Sequence, residues 1–338
     1  MGRAIKVFFV TLFVAASFLA SSDNIDSLLK ELDNVKGTKK VELLLNISES
    51  YLNSSGEDAL IFAEEALSMA EDFKSNALKA RALENLGNAH NILNNHEVAI
   101  RNYEKSLEIF NELNDRAKIA DVLSHLAIVY YMISEYYNAL DYGRQALNVN
   151  IGLADSNKIS ESYNTLGLIY WKLGDLGKAL SNYMESLDYS SEQNHNTINN
   201  IGIIYGVQGN YQKALEHQLM ALEIRQKIGN KIGVAGSLNN IGIIYNRLNK
   251  LDTALIYFLE ALNIRKEIGQ PWRLAGAYNN VGSIYQAMGE FRTALHYYRQ
   301  SLASSNEAEN AYEFANTLLN MGNVFLELNE YDSARVFL

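Results

Sequence analysis

The sequence has no cysteine and a single proline, Pro271, among its 338 residues. The lack of cysteine excludes disulfide bonds, thiolate nucleophiles, iron–sulfur clusters and cysteine-ligated zinc sites. The scarcity of proline leaves long helices uninterrupted. The net charge of -10 repels phosphate backbones, so we expect no nucleic acid among the partners. Because 48% of the residues are hydrophobic, an ordered core is still expected.

Motifs for catalysis and for cofactor binding are also missing. None of the six histidines lies in a His-Glu-x-x-His pattern, so no zinc ligand set is available. The sequence has no phosphate-binding Gly-Lys-Ser/Thr loop and no Gly-x-Ser-x-Gly nucleophile elbow. We therefore expect no catalytic residue, no metal site and no cofactor, and we interpret this segment as non-enzymatic.

Residues 1–22 have the composition of a secretory signal peptide. Arg3 and Lys6 form a basic start, residues 7–20 are an apolar run, and Ala20-Ser21-Ser22 supplies small residues for cleavage. We expect cleavage after Ser22 and export to the periplasm or another extracytoplasmic compartment. A signal anchor that stays in the membrane is the alternative.

A repeated pattern covers residues 40–338. The heptapeptide Asn199–Tyr205 recurs unchanged at 239–245 and with two changes at 279–285. An alanine follows twelve residues after each glycine, and the whole alanine series is Ala59, Ala99, Ala139, Ala179, Ala214, Ala254, Ala294 and Ala334. The spacing is 40 residues except for one step of 35 after Ala179, where we expect a tighter junction near residues 190–196. This periodicity predicts a tandem array of about eight units.

Each unit predicts two helices joined by a short turn, since apolar residues recur at three- and four-residue steps on both sides of positions such as Asn249. A small residue, usually glycine, lies in the middle of each first helix, where glycine costs roughly 1 kcal/mol relative to alanine. We interpret it as a point of close approach, faced by the alanine twelve residues later. Residues 23–39 are interpreted as an N-terminal capping helix, and the last unit, which ends at Leu338, as incomplete.

This pattern of a small residue, a tyrosine three residues later, an alanine after twelve and Ala-Leu or Ser-Leu seven beyond resembles the tetratricopeptide repeat. The 40-residue period exceeds the usual length of about 34 residues and is similar to that of kinesin light chain and the bacterial peptide-sensing Rap regulators. The resemblance implies an all-α fold, a right-handed α-solenoid of antiparallel helix pairs whose first helices line a concave groove. It also implies a scaffold that binds an extended peptide or a protein segment.

Asparagines recur at two slots just before the small residue. One slot holds Asn85, Asn200, Asn240, Asn280 and Asn320, and its neighbour holds Asn164, Asn199, Asn239 and Asn279. A primary amide offers donors and an acceptor, so a ladder of amides can hold the backbone of an extended peptide. This ladder resembles the asparagines that hold peptide backbones in kinesin light chain and related proteins. The alternative is that the asparagines tie neighbouring helices together.

Asn88 and Trp171 complete the predicted groove. Trp171 is the candidate anchor, because exposed aromatic side chains often dominate binding energy; packing in the core is the other interpretation. Signal peptide, capping helix and 40-residue repeats together resemble the extracytoplasmic sensor portion of bacterial signalling proteins. That resemblance implies a second hypothesis, in which the array belongs to a larger histidine kinase or nucleotide cyclase and a membrane tether follows residue 338.

Overall fold

The computed structural model of the protein describes residues 18–190, 194–269, 271–305 and 311–338. Residues 1–17, most of the predicted signal peptide, lie outside this part. The described residues form seventeen helices and no strand. None of these helices combines the length and the apolar character needed to cross a membrane.

The helices divide into two compact units, which we call the N-terminal unit and the C-terminal unit. The N-terminal unit contains α1 (Phe18–Leu32), α2 (Thr38–Tyr51), α3 (Gly56–Asp72), α4 (Asn76–Ile92), α5 (His96–Leu113), α6 (Arg116–Met132), α7 (Tyr136–Leu153), α8 (Ser156–Lys172) and α9 (Leu176–Tyr189). The C-terminal unit contains α10 (His195–Val207), α11 (Tyr211–Lys227), α12 (Lys231–Arg247), α13 (Leu251–Ile268), α14 (Pro271–Ala287), α15 (Phe291–Ser304), α16 (Ala311–Glu327) and α17 (Tyr331–Phe337).

Within each unit, every helix packs on the helices that precede and follow it in sequence. From α2 onward the even-numbered helices are the first helices of the pairs, and most of them also contact the next first helix of their unit. The turns inside the pairs use the left-handed backbone region, as at Gly209 (φ 78°) and Asn249 (φ 56°), which ends a helix within two residues. The predicted all-α solenoid of helix pairs is confirmed.

The step of 35 residues shortens two helices. α9 has 14 residues and α10 has 13, whereas the corresponding α13 and α12 have 18 and 17. The expected tighter junction near residues 190–196 includes residues 191–193, which lie outside the described part of the chain.

Each helix pair closes on a contact between a small and a large side chain. A Cβ atom added at Gly87, Gly167 or Gly282 would come within 2.7 Å of a tyrosine ring sixteen residues later, and at Gly242 within 2.8 Å of Phe258. These tyrosines, Tyr103, Tyr183 and Tyr298, are the largest fully buried side chains. The close approach predicted at the glycines is therefore present, and a large residue at the sixteenth position covers the glycine. The alanines at the twelfth position are buried beside it, at 0 or 1% exposure.

One pair reverses this arrangement. Where the other first helices carry glycine, α6 carries Ala127, and the residue sixteen positions later is Gly143. A Cβ atom at Gly143 would lie 3.8 Å from the Ala127 Cβ and 3.0 Å from Leu166 of the next first helix. The volume at this contact is thus supplied from the neighbouring pair, which keeps the interior close-packed.

Ion pairs join the first helices of the N-terminal unit. Arg81 of α4 pairs with Glu49 of α2 at 3.5 Å, Lys118 of α6 with Glu84 of α4 at 3.2 Å, and Lys158 of α8 with Asp121 of α6 at 3.3 Å. Burial raises the pKa of Glu84 although the ammonium group of Lys118 opposes the rise. His125 lies 3.7 Å from the Glu84 carboxylate, and burial lowers the pKa of its imidazole to about 4.

We predict that Gly242→Leu destabilises the C-terminal unit by about 1–3 kcal/mol or more, because the new side chain overlaps the Phe258 ring. Thermal melting followed by circular dichroism measures the effect. The matched control is Gly177→Leu, since a Cβ atom there meets only an Asp175 oxygen at 3.7 Å. Equal melting temperatures for the two variants would contradict the close-contact role.

We also predict that the free energy of unfolding falls as the pH is lowered from about 6.5 towards 4, in part because of His125. In that range the unfolded chain takes up a proton on this imidazole, whereas the folded chain does so only near pH 4. His125→Gln removes the linkage, so its urea midpoint falls less between pH 7 and pH 5 than that of the wild type. An unchanged pH dependence in the variant would show that His125 is not the group responsible.

Candidate functional site

The predicted asparagines gather on the first helices of the C-terminal unit. α10 carries Asn199 and Asn200, and the same two slots hold asparagines on α12 and α14. Asn200 and Asn279 are buried, at 7% and 4% exposure. The remaining members, Asn199, Asn239, Asn240, Asn280 and Asn320, are half-buried and keep an edge in solvent.

These amides form a directional ladder. The Nδ2 group of Asn240 donates to Oδ1 of Asn199 at 3.1 Å. Asn280 donates in the same way to Asn239 at 2.7 Å, and Asn320 to Asn279 at 2.9 Å. Each bond joins an asparagine to the one 41 residues earlier, on the neighbouring first helix. The bonds therefore tie adjacent helices, as the alternative interpretation of the asparagines expected.

The ladder leaves one edge of each amide open. Among the described residues, no donor lies on the Oδ1 atoms of Asn240, Asn280 and Asn320, and the second N–H of Asn280 and Asn320 is also unused. An amide oxygen accepts up to two hydrogen bonds. The same polar edge is thus presented three times at equivalent repeat positions.

Side chains behind the ladder hold it in place. Gln218 takes the position that a large aromatic residue occupies in other pairs, and it is fully buried. Its Nε2 donates to the Asn199 carbonyl at 2.9 Å, and its Oε1 accepts from Asn240 at 3.3 Å. Asn279 donates to Thr317 Oγ1 at 2.8 Å. These contacts restrict the rotamers of the amides, so the open edges are preorganised.

The predicted residues of the N-terminal unit are less uniform. Asn85 is buried at 2% exposure and donates to the Leu45 carbonyl of α2 at 3.0 Å. Asn88 accepts a hydrogen bond of 2.7 Å from the Tyr103 hydroxyl. Asn164 and Trp171 are half-buried on α8. The described residues of this unit therefore bring together no open amide ladder like that of the C-terminal unit.

Arg225 is a polar residue at this groove that the sequence interpretation missed. It lies near the end of α11 at 4% exposure, and its Nη1 donates to Oδ1 of Asn199 at 3.3 Å. Burial lowers the pKa of its guanidinium to about 10. A signal was available, because Arg265 recurs 40 residues later in the same slot of α13, and a repeated arginine on a packing helix is unusual. No group of histidine and acidic residues that could hold a metal ion occurs in the parts of the chain that the structure describes.

Comparison with known proteins agrees with this architecture. The tetratricopeptide repeat family profile matches residues 41–112, 118–192, 194–267 and 273–338. A search of curated protein sequences finds no match.

Several solved structures share the fold. The apo form of the quorum sensor NprR from B. thuringiensis superposes with a TM-score of 0.72 at 16% identity, over 92% of this chain and 89% of that chain. A Rap protein complexed with Competence and Sporulation Factor gives 0.59 at 17% identity, over 93% and 88%. A signal transduction ATPase with a tetratricopeptide repeat sensor from Pyrococcus horikoshii gives 0.66 at 19% identity, over 89% of this chain and 44% of that chain.

The matched repeats cover nearly all of residues 41–338, and their helix pairs, buried alanines and glycine contacts agree with that match. The chain therefore belongs to the tetratricopeptide repeat family.

Proposed function

We propose that the protein is a non-catalytic scaffold that captures an extended peptide or protein segment along the first helices of the C-terminal unit. The observation that carries the proposal is the open Oδ1 edge of Asn240, Asn280 and Asn320 at equivalent repeat positions. Such oxygens accept hydrogen bonds from backbone N–H groups, which every peptide sequence provides.

The spacing of the helices suits an extended ligand. Packed neighbouring helices lie about 8–10 Å apart, and an extended peptide advances about 3.4 Å per residue. One asparagine of each repeat can therefore address about every third residue of the ligand. Half-exposed side chains such as Ile203 and Ile243 follow the asparagines on the same helices and offer apolar contact between these hydrogen bonds.

The related folds support the proposal by analogy. NprR is described as a quorum sensor, and the Rap structure contains Competence and Sporulation Factor. Both belong to the structures that share this fold at low identity, so the ligand of the present chain is argued from its own groove. The predicted signal peptide would place the scaffold outside the cytoplasm.

We predict that the triple variant Asn240→Ala, Asn280→Ala and Asn320→Ala stays helical at 20 °C and loses peptide capture. Each lost hydrogen bond is worth about 1 kcal/mol, so retention of a mixed-sequence heptapeptide pool on the immobilised chain should fall at least about tenfold. The melting temperature should fall by several degrees, because the same amides tie helices. Mass spectrometry of the retained peptides and circular dichroism provide the two readouts.

The matched control is Asn111→Ala with Asn263→Ala, two exposed asparagines on the second helices α5 and α13. A second arm uses a pool of peptides with N-methylated backbones, which lack the N–H donors and should be retained as weakly by the wild type as ordinary peptides are by the triple variant. Full retention by a folded triple variant would assign these amides to helix packing alone.

A second proposal follows from the match to the signal transduction ATPase, in which a tetratricopeptide repeat array is named as the sensor. In this proposal the present chain is the sensor of a longer signalling protein, and peptide capture is its input. Sequencing the gene beyond the codon for Leu338 tests it. An apolar run of about 20 residues followed by an output domain would support it, and a stop codon would contradict it.

A further inference from the structure

Arg225 is a buried cation surrounded by neutral acceptors. Its Nη2 donates to Asn196 Oδ1 at 3.1 Å, and its Nε donates to His195 Nδ1 at 3.3 Å. Its Nη1 is directed at Asn199 Oδ1 at 3.3 Å, at the Gly233 carbonyl at 3.2 Å and at Ser237 Oγ at 2.8 Å. These acceptors come from α10 and α12, so the guanidinium lies between the two first helices.

The surrounding groups satisfy the hydrogen bonds of Arg225 and leave its charge uncompensated. No carboxylate in the described ranges lies within 4 Å of this guanidinium, although eleven ion pairs occur elsewhere in those ranges. Burying a charge is costly unless an opposite charge accompanies it. A caged guanidinium of this kind is preorganised to receive an anion, because its orientation is already fixed.

An opening above Gly236 leads from the groove to this guanidinium. Gly236 is half-exposed on α12, one helical turn before Asn240 of the ladder. A Cβ atom built there would have Arg225 Nη1 as its one neighbour within 4 Å, at 4.0 Å. Any larger residue would cover the guanidinium, so the glycine keeps a gap of about one side-chain group next to the open amides.

The next repeat shows how a carboxylate fills the equivalent gap. Arg265 and Gly276 occupy the positions 40 residues after Arg225 and Gly236. There the Glu313 carboxylate of α16 lies 3.7 Å from the Cβ position of Gly276. Its charge opposes the fall in the pKa of Arg265 that burial causes. The neutral cage is reduced at this second site, since Ala277 replaces Ser237 and Gly236 replaces Asn196 in the corresponding slots.

We propose that Arg225 is the base of a carboxylate-binding site that opens into the groove over Gly236. The inference rests on the proposed function, because the carboxylate would belong to the captured peptide, as its C-terminus or as an Asp or Glu side chain. The ligand carboxylate takes the place that Glu313 has in the next repeat. Arg225 supplies the charge, and the adjacent ladder holds the peptide backbone.

The far side of Arg225 does not provide a competing partner. A cavity of about 320 Å³ borders it there, lined also by Val234, Ile264 and Glu267. The Glu267 carboxylate is engaged with Lys231 at 3.3 Å, so it is not a counter-ion held in contact with the guanidinium.

The first test measures stability without any ligand. Gly236→Asp places a carboxylate over Arg225, and Gly236→Asn is its neutral twin of the same shape. We expect the Asp variant to melt several degrees above the Asn variant at pH 7, and the difference to vanish near pH 3, where the carboxylate is protonated. The matched control is Gly276→Asp against Gly276→Asn at the same helix position, where the nearby Glu313 carboxylate should reverse the order. A Gly236→Asp chain that melts no higher than its Asn twin would overturn the site.

The second test uses three pools of N-acetylated heptapeptides on the immobilised full chain. One pool has a free C-terminus and no acidic residue, one is amidated with a single aspartate, and one is amidated and free of acids. We expect the wild type to retain at least one carboxylate-bearing pool about tenfold or more above the acid-free amidated pool, and Gly236→Asp to abolish the difference. The better-retained pool identifies the source of the carboxylate.

Two other outcomes separate the proposals. Equal retention of all three pools would leave peptide capture standing and overturn the carboxylate site. Retention of none of them would contradict the proposed function, and the carboxylate site as a peptide subsite would fall with it.

Discussion

The structure depends on the contact between a small residue in the middle of each first helix and a large residue sixteen positions later in the second. Tyrosine rings lie on Gly87, Gly167 and Gly282 so closely that no Cβ atom would fit. This contact closes each hairpin through the inner face of its first helix. The other face of that helix then remains for contacts with the next first helix and for the groove.

The two units join their first helices by different chemistry. In the N-terminal unit the joining groups are ion pairs, such as Lys118 with Glu84, and these use up the charges along the surface. In the C-terminal unit the joining groups are amides, such as Asn280 with Asn239. An amide can bond to a second amide with its nitrogen and still present its oxygen, so a tie between helices and a ligand contact are compatible in one side chain. That property makes the C-terminal unit the better candidate for peptide capture.

Much of the fold could be predicted from the sequence because the repeat is so regular. The heptapeptide shared by residues 199–205 and 239–245, and the alanine series, place every pair from α2 to α17. The partner of each glycine was harder to assign, because the large residue varies from tyrosine to Phe258 to Gln218 while the alanine at the twelfth position is constant. The reversed pair of Ala127 and Gly143 shows that the contact, rather than either residue type, is maintained.

The candidate site was less predictable than the fold, for a physical reason. Identical Asn-Asn pairs do not say which amide is buried, and the direction of each hydrogen bond depends on rotamers that Gln218 and Thr317 select from other helices. Arg225 was missed because it belongs to a second helix, whose residues are expected to pack, and its partners are 26 to 30 residues away or across the next turn. A crystal structure of the chain with a captured peptide tests the account most directly. The account predicts an extended peptide with backbone N–H groups on Oδ1 of Asn240, Asn280 and Asn320; a peptide bound on the second helices, with these amides bonded only to each other, would contradict it.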